Sequence, residues 1–240
     1  MQQPVTEPHT QGQPIHAQPV MITGRGVSLI GDLTVPNNAG GIIVFAHGSG
    51  SGRMSPRNRV VAHELVRGGF ATLLFDLLTP EEEVAERYTR HLRFDIPLLA
   101  NRLAGAIEWV QQQHELAELP IGLFGASTGA AAALIASTRT EVAAVVSRGG
   151  RPDLAGVALS RVSCPTLLIV GGADVEVLDL NRRAQQRMCA PTSLHIVVGA
   201  GHLFEEPGAM REVIELALGW FRAHAFARAY VPISSPSSTT

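Results

Sequence analysis

Gly125-Ala126-Ser127-Thr128-Gly129 sets a serine between two glycines, directly after the apolar run 121–124 and directly before the alanine-rich run 130–137. A serine at a strand-to-helix switch is held in a strained backbone conformation with its hydroxyl exposed. Only residues without bulk fit where strand and helix close on each other. The chemistry this predicts is nucleophilic, yet a serine hydroxyl is weak at neutral pH until an imidazole takes its proton. His202, in Gly199-Ala200-Gly201-His202-Leu203-Phe204 after the last expected strand, is the predicted base. The remaining histidines, His9, His16, His47, His63, His91, His114, His195 and His224, read as structural. An imidazole in this role needs a carboxylate to fix its tautomer. Asp174 follows an apolar run through Gly171-Gly172-Ala173, between the serine and the histidine in chain order. The order Ser, Asp, His is the one that accompanies this kind of turn. Asp153, in Arg148-Gly149-Gly150-Arg151-Pro152-Asp153, is the rival acid, and Glu176 and Asp179 stand further along.

A developing oxyanion needs donors already aimed at it, and backbone N–H groups serve without reorganising. His47-Gly48-Ser49-Gly50-Ser51-Gly52 can supply one, with Ser49 the expected donor; Thr128, at the start of a helix, supplies the other. The same Gly-Ser run could be read as a phosphate cradle. Its glycine spacing is not that of a dinucleotide loop, and the lysine of a nucleotide-triphosphate loop is missing.

The elements that must position these groups are legible as alternation. Strands are expected at 20–22, 27–35, 42–46, 71–75, 121–124, 142–147, 166–170 and 194–198, and helices at 57–67, 96–113, 128–137, 178–188 and 209–227. Apolar β-rich runs separated by helical periods predict an α/β fold. About eight strands are expected, the first two a hairpin around Gly24-Arg25-Gly26 and the rest parallel, with helices on both faces. Thr79-Pro80-Glu81-Glu82-Glu83 reads as a helix N-terminus rather than a metal site, with Thr79 as cap and carboxylates at the positive end of the dipole. Residues 1–18 and 229–240 are expected to be poorly ordered tails around a single domain at 19–228.

Composition removes several classes. The 240 residues are 45% hydrophobic with a net charge of −2, which gives no electrostatic case for nucleic acid or an anionic membrane. All 19 basic residues are arginine, so Schiff-base lysines and Ser-Lys dyads are excluded. Cys164 and Cys189 show no paired spacing, and no metal or organic cofactor is called for. No apolar run fits a signal peptide or a membrane span, so a reduced, cytoplasmic setting is the expectation.

The His-Gly loop after an early strand, the Gly-x-Ser-x-Gly turn, the aspartate after Gly171-Gly172-Ala173 and the late Gly-His together resemble the α/β-hydrolase superfamily over roughly residues 20–227. The stretches 76–83 and 147–153 look more narrowly like dienelactone-hydrolase-like proteins, some of which are fused to phosphoribosyltransferase domains. Dienelactone hydrolases proper use cysteine where this chain has Ser127, a departure that favours a general carboxylesterase. The resemblance implies an α/β-hydrolase fold without a large lid and a small-molecule ester as substrate. Hydrolysis through an acyl-enzyme is expected from Ser127, His202 and Asp174. Thioester, lactone and acyl-transfer chemistry use the same constellation, and a non-catalytic binding scaffold is the reading from another class. Leu77, Leu78, Val175, Leu203 and Phe204 are the expected pocket walls. Arg148 either attracts a carboxylate-bearing substrate or sits in a structural ion pair.

Overall fold

Ile42–Ala46 (β3), Ala71–Phe75 (β4) and Ile121–Ala126 (β5) carry no polar face, and every residue of all three is buried. Strands apolar on both sides belong in the middle of a parallel sheet covered by helices on each face. A computed structural model, which describes residues 16–226, has that arrangement. The sheet is completed by Gln18–Gly24 (β1), Val27–Thr34 (β2), Ala144–Arg148 (β6), Thr166–Gly171 (β7) and Thr192–Val197 (β8). Its eight strands run in the order β1-β2-β4-β3-β5-β6-β7-β8. Only β2 runs against its neighbours; every other pairing is parallel. The expected tails fall largely outside the described residues, although β1 already begins at Gln18.

Among the described residues six helices flank the sheet: Pro56–Arg67 (α1), Pro80–Thr89 (α2), Ile96–Gln111 (α3), Thr128–Ala136 (α4), Val175–Arg187 (α5) and Ala209–His224 (α6). One apolar layer joins Leu103 and Ile107 of α3 and Leu134 of α4 to Val44, Leu73 and Leu123 of the sheet. The other joins Val61 and Leu65 of α1 and Val213 and Phe221 of α6 to Ile43, Phe124 and Val146. α2 starts as its sequence dictates: Thr79 Oγ1 accepts from Glu82 N–H at 3.2 Å and Glu82 Oε2 accepts from Thr79 N–H at 2.8 Å. Between β6 and β7 the chain forms 3-10 turns over Pro152–Arg161, with Gly156 at φ 55° breaking their run. The expected helices include none in that stretch, because 3-10 turns leave no 3.6-residue signal.

Parallel register brings the reactive loops to one edge. Ala46 lies level with Gly125, Gly125 with Ser147, and Arg148 with Ile169, so His47, Ser127, Gly149 and the turn after Gly171 all leave the sheet at its carboxyl end. The turn from β5 into α4 is packed against the end of β3. A Cβ on Gly129 would lie 2.2 Å from the Ala46 carbonyl oxygen and 2.5 Å from that of His47. Backbone atoms of a central strand cannot retreat, so Gly129→Ala is expected to destabilise the fold by about 3 kcal/mol in urea unfolding. An unchanged midpoint would show that the turn yields at this approach.

Candidate active site

Ser127 stands at φ 51° and ψ −122°, a conformation essentially reserved for glycine, at the cap of α4. Strain of this kind costs on the order of 1–3 kcal/mol and persists only where surrounding contacts impose it. Those contacts come from the loop after β6. Ser127 N–H donates to the Arg148 carbonyl at 3.2 Å, and Arg151 N–H donates to the Ser127 carbonyl at 3.1 Å. That loop is anchored in turn by Asn181, fully buried in α5, whose Nδ2 donates to the Gly150 carbonyl at 2.9 Å. A buried asparagine inside a polar helix gave no sign of this task in the sequence.

His202 and Asp174 meet. Asp174 Oδ2 lies 2.7 Å from His202 Nδ1, which leaves Nε2 as the free nitrogen of the imidazole. The loop carrying His202 is pressed onto the end of β7. A Cβ on Gly171 would sit 2.3 Å from the Ala200 carbonyl oxygen, and Ala173 N–H donates to that oxygen at 2.9 Å. Gly201 N–H is held by Glu206 Oε1 at 2.8 Å. The imidazole also approaches the loop after β6, since a Cβ on Gly149 would lie 3.7 Å from His202 Cε1. Among the described residues Ser127 Oγ and His202 share no hydrogen bond, and such bonds commonly tighten only around substrate. The rival acid is otherwise engaged. Asp153 receives Arg151 Nε at 2.9 Å and Nη2 at 2.7 Å, a two-pronged pair that closes its own loop.

The N–H of Ser49, the expected donor, is engaged: it donates to Thr128 Oγ1 at 2.9 Å, because the threonine after Ser127 turns its hydroxyl back towards the loop. Thr128 N–H, first in α4, has no carbonyl behind it within the helix. The loop itself is braced by Asp76, which accepts from Arg53 N–H at 2.8 Å and pairs with the Arg53 guanidinium. His47 braces it from below: Nε2 accepts from Leu77 N–H at 3.0 Å, so Nδ1 carries the proton and donates to the Gly48 carbonyl.

Burial holds the His47 pKa below its ordinary value near 6.5, since a charged imidazole has little solvent and no acceptor role left for Nε2. A folded-state pKa below the unfolded one means that unfolding takes up a proton, so stability is complete above pH 6.5 and is lost as pH falls through the folded value. Urea unfolding at pH 7 and below pH 6 should show this slope, reduced in His47→Gln. An equal slope in that variant assigns the loss to other groups.

The expected pocket walls divide. Val175 and Leu203 stand at the rim, 72% and 42% exposed. Leu78 borders a small recess with Ser49, Ser51, Glu83 and Arg93. Leu77 and Phe204 are corrected to core: both are buried, each packed into one of the two apolar layers, with Phe204 held at φ 56°. Arg148 is buried as well and has no ion pair among the described residues. A larger cavity of about 460 Å³ lies away from the rim, between β2, β4 and α1. No group of three or more His, Cys, Asp or Glu among the described residues could hold a metal ion. None of the described helices is long and apolar enough to cross a membrane.

Residues 39–212 match the model of the alpha/beta hydrolase domain family. The chain belongs to the α/β-hydrolases. A crystal structure of dienelactone hydrolase from Anabaena variabilis superposes with a TM-score of 0.87 at 51% identity, covering 89% of this chain and all of that one. The dienelactone-hydrolase-like branch is therefore the right one within these α/β-hydrolases. Est1E from Butyrivibrio proteoclasticus shares the fold, with a TM-score of 0.70 at 13% identity over 85% of this chain and 98% of that one. Two Mycobacterium tuberculosis proteins, each called "Putative phosphoribosyl transferase", are 55% identical over 213 residues. The match takes in 88% of this chain and 47% of each of them, so the chain spans about half the length of these curated relatives.

Proposed function

We propose that this α/β-hydrolase is a serine hydrolase that cleaves carboxylic esters of small or medium acyl chain through an acyl-enzyme. Ser127 Oγ attacks the ester carbonyl while its proton passes to His202 Nε2, and Asp174 steadies the imidazolium through Nδ1. The oxyanion is met by Thr128 N–H and by Ser49 N–H, where the arriving oxygen displaces the Thr128 hydroxyl. His202 then protonates the departing alcohol, and a water molecule deprotonated by the same nitrogen frees the acid. The observation that carries this reading is the pairing of His202 with Asp174 at 2.7 Å, at the rim where Ser127 is held in a glycine-like conformation. The 3-10 connection after β6 leaves no large lid over the rim, which suits an open site for short acyl groups.

The transferase in the relatives' name is a second reading, and we assign it to the half of those proteins that this chain does not match. Purified protein offered 4-nitrophenyl acetate and butyrate, a matched thioester and a lactone should hydrolyse the oxygen esters fastest and should release no pyrophosphate from phosphoribosyl pyrophosphate. Thioester turnover above both esters moves the assignment to a thioesterase, and pyrophosphate release returns the transferase to this chain. A folded protein inert towards all of these is the binding scaffold.

A further inference from the structure

Glu86, in the last turn of α2, is 1% exposed, and a carboxylate so deeply set persists only where charge-assisted hydrogen bonds meet it. Its Oε2 accepts from Leu92 N–H at 2.8 Å and its Oε1 from Arg93 Nε at 2.7 Å. Arg93 belongs to the 3-10 turn Leu92–Phe94, which joins α2 to α3. Two of its guanidinium nitrogens are committed to Glu86, since Nη2 donates to the Glu86 carbonyl at 3.3 Å. The third, Nη1, faces the loop after β3: a Cβ on Gly50 would lie 3.2 Å from it. Glu86, Arg93, Ser49 and Gly50 accordingly line one small recess. The loop turns there. Ser51 N–H donates to the Gly48 carbonyl at 3.2 Å, and Gly50 stands at φ 69° in the third place of the turn, where glycine is favoured. The direction of the Ser49 N–H is therefore set by whatever holds this turn. Its tie to α4 is the bond to Thr128 Oγ1, which is given up when an oxyanion takes the N–H. A donor serves an oxyanion only if it is still aimed once the charge has formed. Asp76 and Arg53 hold the far end of the loop, and Arg93 is the group against the turn itself.

We propose that Arg93, held by Glu86, is a positioning residue that backs the Ser49-Gly50 turn and keeps the Ser49 N–H aimed at the oxyanion. This rests on the serine-hydrolase reading for its chemistry and adds a support of the active site that lies between α2 and α3. The guanidinium is planar and rigid, and with two nitrogens fixed its remaining edge forms a wall behind the turn. Arg93 acts through the backbone of Ser49, so its loss weakens the bound tetrahedral state and leaves ground-state binding alone.

The test compares two inhibitors of 4-nitrophenyl butyrate hydrolysis. Butyl trifluoromethyl ketone adds the Ser127 oxygen to its carbonyl carbon and leaves an oxyanion, whereas butyl methyl ketone has the same chain and stays a ketone. The ratio of their inhibition constants therefore reads the oxyanion site. Arg93→Met should reduce that ratio by about tenfold or more and lower kcat by a similar factor, with the methyl ketone's constant unchanged within about twofold. Arg93→Lys, which keeps the charge and loses the planar edge, should recover part of the loss. Arg93→Met also leaves the Glu86 charge buried alone, so Glu86→Gln/Arg93→Met, which buries no charge, is measured beside it. Arg102→Met breaks the 2.7 Å pair with Glu82 across the same two helices, outside the recess, and should leave the ratio within about twofold of wild type. A ratio unchanged in the folded Arg93 variants overturns the proposal, as does an equal fall in Arg102→Met. If wild type turns over no ester and does not separate the two ketones, the hydrolase reading has failed by itself. Amide hydrogen exchange at residues 48–52 then decides: exchange faster by about tenfold or more in the Arg93 variants supports the brace, and equal exchange overturns it.

Discussion

Ser127→Ala is expected to lower hydrolysis of 4-nitrophenyl butyrate by about 10³-fold or more, and His202→Ala by a similar factor. The double variant should be scarcely worse than either single one, because a nucleophile and its base act as one unit and their losses do not add. Residual hydrolysis in all three should resemble that left by backbone donors and binding alone. The fold should not change. Ser127 caps α4 without any side-chain hydrogen bond, and His202 is a rim residue whose imidazole is 39% exposed, so neither truncation opens the core. Unfolding midpoints measured beside the rates keep loss of chemistry apart from loss of structure. Ser127→Ala with wild-type activity removes this serine from the reaction.

Asp174→Asn is expected to cost on the order of 10²- to 10⁴-fold in kcat, while Asp153→Asn should cost little. An amide at 174 can still occupy the space near Nδ1, but it neither fixes the tautomer nor steadies the imidazolium. Asp153 is committed to Arg151 in a pair whose partners are 25% and 35% exposed, and pairs that reach solvent contribute about 0–1 kcal/mol. Its loss is therefore a matter of loop stability, read as a small shift in midpoint. A larger kinetic loss at 153 than at 174 reverses the choice of acid.

Much of the fold was legible because its central strands are apolar but for Thr72 and because one helix starts with a readable cap, Thr79 followed by Pro80 and the glutamates. α1 starts at Pro56 behind Ser55, one residue before the expected start at 57. Strand ends were less legible. β1 begins at Gln18 and β8 at Thr192, since pairing with a neighbour extends a strand past its apolar residues. At the site, Ser127, Asp174 and His202 stood out because glycines mark the close approaches that bring their loops together, as at Gly129 and Gly171.

What could not be read were contacts between loops distant in sequence. Nothing in the chain order said that Thr128 Oγ1 takes the Ser49 N–H, that Asn181 pins Gly150, or that Arg148 has no ion-pair partner among the described residues. Hydrophobicity likewise failed to separate walls from core. Leu77 and Leu203 look alike as sequence, and only packing shows that the first is sealed beneath β4 while the second reaches the rim.

The central claim is that the Ser127 hydroxyl is made reactive by the imidazole that Asp174 holds. Incubation with a fluorophosphonate, followed by intact mass and peptide mapping, tests it most directly. One adduct on Ser127 in wild type, slowed by about 10²-fold or more in His202→Ala, is the predicted result. An unlabelled Ser127 in folded protein, or labelling indifferent to His202, contradicts it.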